Sequence, residues 1–66
     1  MRVRVNDQDL DLSDGATVAD LLATLQLPST RVAIEVNRQL VRRSDHTART
    51  LTSDDVVEVV TLVGGG

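Results

Sequence analysis

Sixty-six residues with a net charge of −3, no cysteine, no aromatic residue and a single histidine restrict the answer before any pattern is read. Such a chain is one domain near the lower size limit for unaided folding, held by aliphatic packing, with no disulfide and no histidine–cysteine zinc centre. It carries neither a basic stripe nor a stacking platform for bases, and its seven basic residues are all arginine, so nucleic acid is not an expected partner.

Met1, Val3 and Val5 alternate with Arg2 and Arg4, which predicts a strand with one apolar face. Asn6-Asp7 tolerates positive φ and predicts a tight hairpin turn. Leu10 and Leu12 alternate with Asp9 and Asp11 in a second strand, whose acidic face would meet the arginines of the first. Ser13-Asp14-Gly15-Ala16 breaks the pattern. A helix of about ten residues follows, with Thr17 as N-cap and Asp20 closing a capping box. Val18, Leu21, Leu22 and Leu25 form its one apolar stripe, which faces the core. Pro28 ends the helix or the turn after it.

Val32, Ile34 and Val36 alternate with Ala33, Glu35 and Asn37 in a third strand. Asn37-Arg38 is the next turn, leading into a short strand with Val41 inward and Leu40 outward. The stretch from Arg42 to Arg49 is polar and irregular, with room for short helical turns. His46 lies in this polar stretch, so a solvated loop histidine is expected and not a catalytic one. Ser53-Asp54-Asp55 turns the chain into a last strand from Val56 to Val63. With Val57 and Val59 inward, alternation places Glu58, Val60 and Leu62 on the opposite face. Val60 and Leu62, with Leu40 and Val63, are the candidate partner-recognition residues.

The order strand, strand, helix, strand, short strand, long strand predicts an α+β domain over residues 1–63, a mixed sheet of four to five strands packed on one main helix. Gly64, Gly65 and Gly66 follow as a flexible tail. Without Cβ atoms this tail can thread a narrow channel. Its tip presents the α-carboxylate of Gly66, ionised at neutral pH. The residues alone allow two readings: a frayed end, or a mobile arm that carries a carboxylate into another protein's active site.

Asn6-Asp7-Gln8, the helix start from Thr17 to Leu22, Val32 to Asn37, Arg43-Ser44, and Val57-Glu58-Val59-Val60 leading to Gly64-Gly65-Gly66 resemble the thiamine-biosynthesis sulfur carriers, the ThiS family, over essentially the whole chain. Three positions depart from that family. Arg38 and Asp54 stand where glycine is common, and Arg42 where proline is. All three lie in turns or loops. The resemblance implies a ubiquitin-like β-grasp fold and a protein co-substrate, not an enzyme. It implies that an E1-like adenylating enzyme activates the Gly66 carboxylate, and that sulfur from a persulfide donor then converts it to a thiocarboxylate. That group would donate sulfur to thiazole synthase.

The chain offers no Walker loop, general base or metal site, so no bound cofactor is expected and ATP is consumed by the adenylating partner. Met1 is followed by charged alternation, not a signal peptide, and no apolar run approaches the length of a membrane span. A cytoplasmic carrier, monomeric alone and without a membrane partner, is the expectation. Three rivals remain. The small, thiocarboxylate-bearing subunit of molybdopterin synthase commonly has aromatic and proline residues before its glycines, and Thr61-Leu62-Val63 has neither. A ubiquitin-like modifier would be joined through Gly66 to lysines on its targets. A noncovalent interaction domain would leave the tail inert.

Overall fold

The structure, a computed structural model, describes residues 1–62; Val63 to Gly66, and with them the expected end of the last strand and the tail, lie outside the described residues. The elements are β1 (Arg2–Val5), β2 (Gln8–Asp11), α1 (Val18–Leu25), β3 (Val32–Val36), β4 (Gln39–Val41) and β5 (Val56–Thr61). Short 3-10 turns occupy Ser29–Arg31 and Arg43–Asp45. The five strands form one sheet in the order β2-β1-β5-β3-β4. The central β1–β5 pair is parallel and its neighbours are antiparallel. This is the α+β, ubiquitin-like β-grasp layout, with the last strand in the middle of the sheet.

Alternation decides which face is buried. Val3, Val5, Val32, Ile34, Val36, Val57 and Val59 from the strands meet Val18, Leu21 and Leu22 from α1 in one apolar core, joined by Leu12, Ala16 and Leu51. Burying an aliphatic side chain is worth about 1.5–3 kcal/mol, so a core of this make-up can hold so short a chain without aromatic residues. On the other face Arg2 pairs with Asp11 and Arg4 with Asp9 across β1 and β2, as the alternation predicts. Arg2 Nε reaches Asp11 Oδ1 at 3.3 Å. Both side chains are largely exposed, and such pairs contribute little.

Both hairpin turns have positive φ at their two central residues: Asn6 (47°) and Asp7 (67°), then Asn37 (51°) and Arg38 (68°). That is the type I′ pattern, which matches the twist of the flanking strands. Arg38, like Asp54 at φ 71°, adopts the left-handed conformation without being glycine, a strain of about 1 kcal/mol for an ordinary side chain. The asparagines do more than turn the chain. Asn6 Oδ1 accepts from the Val59 N–H at 2.8 Å while its Nδ2 donates to the Val59 carbonyl at 3.0 Å. Asn37 Oδ1 accepts from the Val56 N–H at 2.9 Å. Each turn thus clamps β5.

The capping box at the start of α1 is present, with Thr17 Oγ1 accepting from the Asp20 N–H and Asp20 Oδ2 from the Thr17 N–H. Two further first-turn donors are taken by a distant loop: Val18 N–H by the Arg49 carbonyl and Ala19 N–H by the His46 carbonyl, both at 2.9 Å. Those groups would otherwise be unpaired at a helix start. The helix is eight residues long, not about ten. It stops before Pro28 because Gln26 turns left-handed at φ 59° and the Leu27 N–H reaches back to the Leu22 carbonyl at 2.9 Å. This is a Schellman-like ending whose hydrophobic partner, Leu27, packs on the core.

His46 corrects the expectation of a solvated loop histidine. It is 3% exposed, and its Nε2–H donates to the Val41 carbonyl at 3.3 Å while Nδ1 has no partner. The backbone bonds from Val18 and Ala19 draw this loop onto the helix start and bury the ring. His46 is a packing residue.

Asp55 is the other buried polar residue. Burial by itself pushes its carboxyl up. Hydrogen bonds from the Thr52 N–H, the Asn37 amide and the Thr52 hydroxyl, together with the charge of Arg49, outweigh that and hold it below its ordinary value of 3.8. A depressed carboxylate stabilises the fold above the unfolded-state value and loses that contribution as pH falls through the folded one. We therefore expect Asp55→Asn to be less stable than the parent at pH 7, with the difference shrinking as pH falls below about 4, so that acid unfolding is blunted in the variant. Denaturant titrations on both sides of that pH check this. A constant difference across the range would remove Asp55 from the acid transition.

Candidate functional site

Among the described residues no group of three or more His, Asp or Glu side chains is placed to hold a metal ion. The start of α1 offers no anion cradle, since the Thr17 hydroxyl and two loop carbonyls already fill it. The feature that stands out is the outer face of the sheet, opposite α1. There β5 presents Val56, Glu58, Val60 and, one residue beyond its end, Leu62. The Leu62 N–H donates to the Arg31 carbonyl at 2.7 Å, which carries the strand's alternation past Thr61. Leu40, Val60 and Leu62 are each more than half exposed, at 67%, 58% and 52%, and Val56 is 45% exposed.

Register fixes how these residues adjoin. Val60 lies opposite Ala33, Glu58 opposite Glu35, and Glu35 opposite Leu40. Leu40 therefore shares the face with Val60 and Leu62, as expected, but β3 stands between them. The two residues that alternation alone left unconnected are Glu35 and Glu58, which the β3–β5 pairing sets side by side. The strand pattern signalled that each faces outward; only the register makes them neighbours. Val63, Gly64, Gly65 and Gly66, the remaining candidates, lie outside the described residues.

The face leads toward a glycine-rich C-terminal segment, and the chain as a whole answers to a known group. Residues 2–66 match the family model for the ThiS family. The chain belongs to the ThiS family. It is 34% identical over 65 residues to the sulfur carrier protein ThiS of Bacillus subtilis, covering 97% of this chain and 98% of that one. The crystal structure of the thiamine biosynthesis protein ThiS from Geobacter metallireducens superposes with a TM-score of 0.84 at 28% identity, with both chains covered in full. A thiazole synthase of Magnetococcus marinus is 35% identical over 66 residues, all of this chain but 20% of the synthase. The chain spans the same fifth of the length of a second thiazole synthase, from Paramagnetospirillum magneticum. The ThiS β-grasp thus accounts for the sheet order and the single helix found here.

Proposed function

We propose that this chain is a sulfur carrier for thiamine (thiazole) biosynthesis, a co-substrate whose reactive group is the Gly66 carboxyl. The observation that carries the reading is the match to the ThiS family over residues 2–66, glycines included. A carboxylate is a poor acyl donor and must be activated. An E1-like partner supplies ATP, and the Gly66 carboxylate oxygen attacks its α-phosphorus, releasing pyrophosphate and forming an acyl-adenylate. A persulfide sulfur attacks the carbonyl carbon and AMP leaves. A thiol then cleaves the acyl disulfide, leaving the thiocarboxylate and a new disulfide. That thiocarboxylate is the sulfur donor for thiazole synthase. In the two synthases above, a fifth of the polypeptide is similar to this chain, which supports synthase and carrier acting together.

In this reading the chain contributes position, not catalysis. Gly64 and Gly65 let the carboxyl enter a narrow active site. Val60 and Leu62, with Leu40 and Val63, form the docking surface that aims it. Incubation with ATP, the adenylating enzyme and a persulfide donor should change the intact mass by one oxygen exchanged for one sulfur, at the C-terminal residue, and only when ATP is present. An unchanged mass overturns the proposal.

A further inference from the structure

The two hairpin turns are built alike, yet they hold different ends of β5. Asn37 grips its start: Oδ1 accepts from the Val56 N–H at 2.9 Å and Nδ2 donates to Asp55 Oδ1 at 3.0 Å. Asn6 grips β5 further along, taking both backbone groups of Val59. The turn itself does not require that grip. A type I′ turn needs positive φ, which glycine adopts without steric cost. What glycine lacks is the carboxamide, which carries an acceptor and a donor side by side, as a peptide group does.

The strand ladder shows why a substitute peptide is needed there. The register of β1 with β5 ends at Val5 opposite Val57. One more backbone bond follows, from the Asn6 N–H to the Val57 carbonyl at 3.0 Å, and the chain then turns away into β2. On the other edge of β5, the Asn37 N–H bonds the Val56 carbonyl and the Leu62 N–H the Arg31 carbonyl, both at 2.7 Å. Val56, Glu58, Val60 and Leu62 therefore turn their backbone groups toward β3, and Val57, Val59 and Thr61 turn theirs toward β1. The Asn6 side chain serves Val59 on that edge, and no β1 residue stands opposite Thr61. Among the described residues the carboxamide is the last hold on this edge before the glycine segment.

We propose that Asn6 is a positioning residue for the Gly66 carboxyl, acting through the Val59 backbone. This rests on the carrier reading and adds to it a residue outside both the docking face and the glycines. Held on both edges as far as Val59, β5 keeps Val60 and Leu62 on the outer face and fixes the direction in which Gly66 is delivered. Without the carboxamide, β5 beyond Val57 hangs from β3 alone. The docking side chains and the root of the arm are then free to shift against the sheet. A misplacement of about 1 Å can cost about 100-fold in rate.

Asn6→Gly and Asn37→Gly test this as a matched pair, each losing two side-chain bonds while receiving the residue best suited to positive φ. ATP–pyrophosphate exchange with the E1-like partner is measured beside thermal unfolding, and protection of the Leu62 amide is read on the free chains. Asn6→Gly should lower kcat/KM for pyrophosphate exchange at least about tenfold and weaken Leu62 protection. Asn37→Gly should also melt lower, yet keep the parent's kcat/KM and its Leu62 protection. Parental kcat/KM in Asn6→Gly overturns the proposal, and so does an unchanged Leu62 amide. Equal losses of kcat/KM in the two variants overturn it as well, because they trace to stability lost anywhere along β5. A parent chain that supports no pyrophosphate exchange overturns the carrier reading itself, and this proposal with it.

Discussion

Deletion of Gly65 and Gly66 is expected to abolish activation while leaving the fold intact. Among the described residues the apolar core runs from Val3 to Val59, and glycine has no side chain to add to it, so the deletion should change unfolding free energy by less than about 0.5 kcal/mol. It does remove the atoms on which the adenylating partner would act, and it shortens an extended chain by about 7 Å, at roughly 3.3–3.6 Å per residue. A carboxylate drawn back that far cannot meet the α-phosphorus of ATP in a site built for the full-length arm. Thermal unfolding and ATP–pyrophosphate exchange on the same truncated protein check both halves. Retained exchange, or a large fall in melting temperature, would count against the carrier mechanism.

The second large effect is expected from the double variant Val60→Ser/Leu62→Ser. Both side chains are exposed, so the folded protein buries little of them. Serine at a strand position and just past its end should cost at most about 1 kcal/mol of stability. Binding is another matter. If these residues fill partner pockets, truncation removes anchors of the kind whose loss commonly costs about 2 kcal/mol or more, roughly a 30-fold weakening. Titration calorimetry against the adenylating enzyme and the thiazole synthase, with a melting curve as control, reads both numbers. Unchanged affinity for both partners would remove the face from the mechanism.

The local code was legible in the chain itself. Among the described residues period-two alternation placed the apolar strand faces, including Val57 and Val59 inward with Glu58 and Val60 outward. Asn6-Asp7 and Asn37-Arg38 announced their turns, and Thr17 with Asp20 announced the helix start. These features depend on residues within about four positions of one another, where sterics and side-chain-to-backbone hydrogen bonds act without help from the rest of the molecule.

What the tertiary structure decided are the pairings between distant segments. His46 is buried because the Val18 and Ala19 N–H groups need acceptors and the loop from His46 to Arg49 supplies them, a requirement invisible in a polar stretch read alone. Leu27 finds the core just after the left-handed Gln26, so packing fixes the end of the helix at Leu25, and Pro28 closes the turn that follows. Glu35 and Glu58 become neighbours only through the antiparallel register of β3 with β5. A register shifted by two residues would preserve every inward and outward face, so alternation specifies the faces and cannot specify who stands opposite whom. That choice is made by the two asparagine clamps on β5 and by close packing in the core, both of which exist only once the chain has folded.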